Sequence, residues 1–246
     1  MTKRIFLALL TVLFAANIAA EPIVYPTNKD GSTISGILTA DYDPTASVLP
    51  IPTNLFFSGT DDFTLNPPVA DPNDFGDPLV ALSAMDGFST TEKWVTTFTG
   101  RPHALDPASI VPGQSVRMFE VSTVFGTIVL VDGVIRELVP GVDYVAVAQG
   151  STLAILPLKP LKEMTTYMAV LTNDINDTQG NDATPDTFYH IAKSETPWVD
   201  ANGNSTYELF DDATAASAEG LRQVTATQEA AAASVGIPKE DIILSW

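Results

Sequence analysis

Ester cleavage by a protein is commonly built from a serine nucleophile, a histidine base and a carboxylate. This chain offers only two histidines, His103 and His190, for the second role. An α/β-hydrolase places its serine on a strained strand-to-helix turn, and the glycines of Gly-x-Ser-x-Gly are there because Cβ atoms would clash. No such pentapeptide is present. The nearest are Gly113-Gln-Ser-Val-Arg117, with arginine at the final glycine position, and Ser32-Thr-Ile-Ser-Gly36, which lacks the first glycine. Both read as loop serines. His103 lies in the proline-bracketed loop Arg101-Pro-His-Ala-Leu-Asp-Pro107, where Asp106 is close enough in sequence to orient it, and His190 follows Phe188-Tyr189 at an expected strand end. Lone loop histidines are mostly structural or solvated, so no catalytic residue is assigned.

Metal and cofactor chemistry is equally unsupported by residue type. Two isolated histidines and no cysteine cannot supply the usual zinc ligand sets. Asp200-Ala-Asn-Gly-Asn-Ser-Thr-Tyr-Glu208 offers alternating oxygen ligands, but its glycine and glutamate fall at the wrong places for an EF-hand loop, so it reads as a turn. Asp71-Pro-Asn-Asp-Phe-Gly-Asp-Pro78 reads as Asx-stabilised, proline-fixed turns before it reads as a hard-cation clasp. No Gly-x-Gly-x-x-Gly or phosphate-binding loop occurs. Neither a metal nor a cofactor is expected.

The elements that must carry these residues follow from composition and patterning. A chain of 246 residues with 45% hydrophobic content fits one large domain or two small ones. Residues 1–20 read as a secretory signal: Lys3 and Arg4, an apolar run from Ile5 to Ala16, then small residues before a cut after Ala20. Export is therefore expected, to the periplasm, the outer membrane or the exterior. The apolar run is too short to span a bilayer, so no transmembrane segment is expected. Removing this segment would take the formal charge from −18 to −20, a surface that repels nucleic acid and anionic headgroups. With no cysteine there is neither a disulfide nor a site for a lipoprotein anchor.

From 21 to 112 the chain is rich in Pro, Asp, Asn, Gly and Thr, and reads as loops with short strands. From 113 to 210 short β-rich runs alternate with turn signals: Val116–Val121, Thr127–Val131, a turn at Asp132-Gly133, Asp143–Val147, a turn at Gln149-Gly150-Ser151, Thr152–Leu156 and Thr165–Thr172. That spacing predicts an antiparallel β-sandwich. In the last of these strands Tyr167 is placed to reach a backbone partner. From Asp211 the pattern turns helical, capped by Asp211 or Asp212, with Leu221, Val224, Ala231 and Val235 on one face and Gly236 and Pro238 as the stop. Asp241-Ile-Ile-Leu-Ser-Trp246 reads as a strand just beginning, with the alternative that it completes the sandwich.

Several blocks carry a resemblance: Leu49-Pro-Ile-Pro-Thr-Asn54 within Ser47–Gly59, Thr64-Leu-Asn-Pro-Pro68, Asp86-Gly-Phe-Ser-Thr-Thr91, Leu105-Asp-Pro-Ala-Ser109, Ser115-Val-Arg-Met-Phe-Glu-Val121, Gly141-Val-Asp-Tyr-Val145 and Leu153-Ala-Ile-Leu-Pro-Leu-Lys-Pro-Leu161. From about Ala40 to Trp246 the chain resembles the bacterial virulence-factor lipases of Gram-negative bacteria, in the non-catalytic domain that precedes their hydrolase. Leu158-Lys-Pro-Leu161, Thr166-Tyr167 and Asp177-Thr-Gln-Gly-Asn181 also resemble bacterial Ig-like modules. The resemblance implies a mainly β fold, an Ig-like antiparallel sandwich after a loop-rich segment and before one C-terminal helix. It further implies that residues 211–246 lead toward a hydrolase domain that is this domain's own or separately encoded, the only route to a lipid substrate. Three readings compete: an accessory lipase domain inactive by itself, a stand-alone extracellular binding or adhesion module, and a cryptic hydrolase using a serine, an aspartate and one histidine.

Overall fold

The computed structural model describes residues 27–246 apart from 61, 68 and 209; the expected signal segment lies outside the described residues. Among the described residues nine strands form two sheets around a shared core. They are β1 (Ile37–Ala40), β2 (Trp94–Arg101), β3 (Val116–Phe125), β4 (Val129–Glu137), β5 (Tyr144–Gln149), β6 (Thr152–Pro157), β7 (Thr166–Thr172), β8 (Ala183–Pro185) and β9 (Ile242–Ser245). One sheet has the order β5-β6-β2-β1-β8 and the other β4-β3-β7-β9. Pairing is antiparallel except between β1 and β8. The fold is mainly β, as expected, and it recruits strands from before 113 and after 210.

The two sheets bury differently, and their sequences say so. In β2 the buried residues Trp94, Thr96 and Phe98 alternate with more exposed neighbours, the mark of one covered face. In β7 and β9 burial is nearly continuous, because these strands are covered on both sides. The cover on the second side is a 23-residue helix, Asp212–Ser234, which follows two short helices, α1 (Pro78–Leu82) and α2 (Thr187–Ala192), and is called α3. Ala231, Ala232 and Ile237 from α3 and its end join the main core. Thr227 Oγ1 accepts a hydrogen bond from Val131 N (3.3 Å), so α3 also caps a backbone donor of edge strand β4.

Local chemistry explains where α3 starts and stops. Asp211 accepts from Thr214 N at 2.7 Å, satisfying a free first-turn donor. At the other end Gly236 adopts φ +82, Gly236 N donates to Ala233 O and Ile237 N to Ala232 O, each at 3.1 Å. This is a Schellman closure, with Ile237 buried beyond it.

Three local expectations resolve at this level. Tyr167 Oη accepts a hydrogen bond from Lys162 N at 3.0 Å, the backbone partner its position anticipated. Asp132-Gly133 is not a turn: β4 runs through it, with register shifts opposite Glu120/Val121 and Ser122/Thr123, and the chain reverses instead at Gly126–Ile128. Here a bulge, which also favours glycine, imitates a turn signal. Ile242–Ser245 pairs with β7 as the fourth strand of its sheet, and Trp246 is buried with its ring 6.1 Å from that of Trp94.

Candidate functional site

The serines nearest to an elbow motif stand in the wrong local structure. Both segments run from loop into strand, Gly113–Arg117 into β3 and Ser32–Gly36 toward β1, whereas a nucleophile elbow runs from strand into helix. Ser115 Oγ donates to Ser109 O (2.6 Å) and accepts from Val111 N (2.8 Å), which closes the turn before β3. Ser35 is held by Asn181, whose Oδ1 accepts from Ser35 N at 2.8 Å.

His103 is positioned by two glycines. A Cβ on Gly36 would stand 2.8 Å from His103 Cδ2 and 3.1 Å from Asp177 Oδ2, and a Cβ on Gly100 would overlap the His103 carbonyl oxygen. The carboxylate beside the ring is therefore Asp177, buried and accepting from Gln179 N, Asn181 N and Asn181 Nδ2. Asp106, the partner suggested by sequence, instead caps the turn Pro107–Ser109 through Ala108 N at 3.0 Å. His190 sits in the last turn of α2, and burial, helped by the Lys193 charge, lowers its pKa. The two histidines are on separate elements. The acid-rich loops also do local work: Asp71, Asp74 and Asp77 accept from Asn73 N, Gly76 N and Leu79 N, and Asp200 accepts from Asn202 N and Asn204 N. Among the described residues no group of three or more His, Cys, Asp or Glu side chains is arranged to hold a metal ion.

Two assemblies were not foreseen from the sequence. The first is a buried polar chain behind β9. Tyr189 Oη and Ser245 Oγ are 2.7 Å apart, Ser245 Oγ donates to Gln228 Oε1 (2.9 Å), and Tyr189 Oη reaches Glu229 Oε1 (3.4 Å). Lys193 Nζ pairs with Glu229 Oε1 at 3.0 Å and donates to the carbonyls of Lys239 and Ile242 at 2.6 Å. Burial raises the Tyr189 and Glu229 pKa values and lowers that of Lys193. A serine, a tyrosine and a lysine so close resemble a proton-transfer set, but the side chains of Tyr189, Ser245 and Glu229 are buried, so a substrate has no approach. The assembly locks α2 and α3 onto β9. Its one sequence signal was polar Gln228 and Glu229 in an otherwise alanine-rich helix.

The second assembly is a small open apolar cleft of ≈ 70 Å³. Leu49, Leu55 and Phe56 form one wall, Ala218 and Leu221 of α3 face them, and Ile128 of the β3–β4 turn closes a side. The first wall is assembled from segments that are separate in sequence. Asn66 N donates to Phe56 O (2.5 Å), Leu65 N to Met85 O (2.8 Å), and Phe88 packs on Phe56 and Phe57 with ring centres 6.4 and 6.3 Å away. Residues 56–57, 65–66 and 85–88, each in or beside one of the blocks of family resemblance, thus meet behind one surface.

The blocks of Gly141–Val145, Leu153–Leu161 and Ser115–Val121 meet elsewhere, in an ion network. Buried Glu120 pairs with Arg136 (2.9 Å) and Lys162 (2.8 Å), and buried Asp143 with Arg136 (3.0 Å) and Lys159 (2.6 Å). It ties β3 and β4 to the start of β5 and to the β6–β7 connection.

The described residues form a mainly β domain with an open apolar cleft, and within it Ser35, Ser115, His103 and His190 stand on separate segments. The chain belongs to the bacterial virulence factor lipase N-terminal family, whose model matches residues 24–245. Searches against curated proteins and against solved structures find no match. Among the described residues no helix is long and apolar enough to cross a membrane.

Proposed function

We propose that these residues form an exported, non-catalytic domain that works beside a catalytic α/β-hydrolase domain and cleaves no ester by itself. The observation that carries this reading is the family match over 24–245. It is supported by Ser115 closing the turn before β3, by Asn181 holding Ser35, and by His103 and Asp177 both lying close to Gly36, where β1 begins and β2 ends, with no serine among them. The secretory pattern of residues 1–20 supports export, and the missing cysteine argues against a lipoprotein anchor. The domain's role would be to support folding, export or substrate presentation of the hydrolase.

The test is an assay of the purified protein on a p-nitrophenyl ester and a lysophospholipid. No turnover above buffer is expected, and turnover abolished by His103→Ala or His190→Ala would overturn the reading. Periplasmic co-expression with a hydrolase domain of the same family is expected to give co-purification. A second reading, a stand-alone extracellular binding module, draws support from the open cleft; it predicts ligand binding without any hydrolase association.

A further inference from the structure

The acids that anchor the ion network are buried, and what they leave outside is basic and apolar. The side chains of Glu120 and Asp143 are almost inaccessible, whereas Arg136, Lys159 and Lys162, which pair with them, stay between 38% and 60% exposed. In a chain of 12 bases against 30 acids, this gathers three outward cations on one patch. Asp143 also fixes apolar neighbours there: Val139 N donates to Asp143 Oδ2 (2.8 Å), Leu158 N donates to Asp143 O (2.9 Å), and Val142 precedes it in the chain. Val139, Val142 and Leu158 are each at least half exposed, and Met164, in the 158–165 connection that carries both lysines, is fully exposed. Glu163 is the only acid in that connection. Exposed apolar side chains with cations among them have the make-up of a surface that another protein covers. The cations are already paired from below, so a covering partner strands none of them without a countercharge.

The path of the chain says which protein. The family is by its description the N-terminal part of a lipase, and its match ends at Ser245, the last residue of β9. β9 runs antiparallel to β7, with Ser245 opposite Val170 and with Trp246 and Ala169 exchanging backbone hydrogen bonds of 2.9 and 3.1 Å. The strand is thus directed toward Thr166, where β7 begins and the 158–165 connection ends. Leu161 N donating to Thr90 O (2.8 Å) and Lys162 N donating to Tyr167 Oη (3.0 Å) hold the connection in place. In a family member whose catalytic domain follows this one on the chain, that domain begins beside this connection, and a short linker brings it first to the patch around Met164 and Leu158.

We infer that the face formed by the 139–142 loop and the 158–165 connection is where the catalytic hydrolase domain docks, with apolar contact to Val139, Val142, Leu158 and Met164 and an acidic rim set against Arg136, Lys159 and Lys162. The inference rests on the reading that a hydrolase works beside this domain, and adds the surface it uses. The test mixes the intact protein with the separately produced catalytic domain of a family member, and follows affinity by calorimetry and contact by hydrogen exchange. Protection of 139–142 and 158–165 is expected on binding. Val142→Glu and Met164→Glu, both at exposed positions, should each weaken binding by about tenfold or more. If one variant does not fold, the other and the exchange footprint of the unchanged protein decide. Binding that a folded variant leaves as tight, or protection confined to other segments, would overturn the docking surface while leaving the hydrolase reading in place; no binding by the unchanged protein would overturn both.

Discussion

Gly100 and Gly36 show how an absent Cβ can set the position of a reactive side chain. Their bare backbones let the loop carrying His103 fold back against β1 and β2, beside Asp177. Gly100→Ala is expected to push the His103 carbonyl away and destabilise the fold by about 2 kcal/mol or more, read from the urea midpoint. Asp186, the cap of α2, makes a pH prediction. Burial, then hydrogen bonds that oppose it and the nearby charges of Asp43 and Asp41, leaves its pKa raised from 3.8 to about 6. The folded state therefore keeps this proton after the unfolded chain has lost it, and stability from this group falls as pH rises from about 4 to about 6. Asp186→Asn keeps a capping oxygen and removes that loss. Its urea midpoint should exceed that of the unchanged protein at pH 7.5, by on the order of 1 kcal/mol, and the gap should close by pH 4. At this scale the sequence was informative about residue type and poor about partners. Asp106 was nearer to His103 in sequence, yet Asp177, far along the chain, is the carboxylate near it, because the Leu105–Asp177 bridge and the pairing of β1 with β8 bring the Asp177 loop to Gly36.

At the scale of elements, α3 was legible at its ends and misleading on its face. Asp211, Gly236 and Pro238 act locally, through hydrogen bonds within a few residues, so the sequence displays them directly. The buried side is different: alongside Val224 and Ala231 it holds Arg222, Thr225, Gln228 and Glu229. Gln228 and Glu229 are buried because Ser245 of β9 and Tyr189 and Lys193 at α2 meet them, and Arg222 because Glu219 of the same helix pairs with it, which periodicity cannot reveal. The same partners set a prediction. Glu229→Gln leaves Lys193 buried without its countercharge, and removal of one member of a buried pair is costly. A loss of about 3 kcal/mol is expected, with β9 and α2 losing hydrogen-exchange protection before the β2–β6 pair. Equal loss across both sheets would show that the assembly does not act as a local lock. Asp132-Gly133 carries the complementary lesson, since a bulge and a turn ask the same residues of the sequence and only strand pairing tells them apart.

Over the whole molecule, the ion network and the excess of acids govern the response to acid. Lys159, the Val139 N–H and Arg136 hold the Asp143 carboxyl well below the usual carboxylate range, against the opposing effect of burial. A depressed pKa contributes stability that is present above the unfolded value near 3.8 and lost as pH falls below it. Asp143→Asn should therefore lower stability at pH 7 by on the order of 1 to 2 kcal/mol, and the difference from the unchanged protein should shrink toward pH 2. A difference that stays constant with pH would show that packing, not charge, was lost. The mainly β character, the C-terminal helix with its caps and the family could all be read from the chain itself, because each depends on residue type, short spacing or blocks of contiguous residues. Tertiary structure alone decided that Ile242–Ser245 lies buried against β7, that Leu65, Asn66, Met85 and Phe88 pack against the 56–57 segment, and that Gln228 and Glu229 face inward. Those outcomes depend on contacts between residues tens to well over a hundred positions apart, whose free energies exist only once both sheets and α3 have closed on a common core.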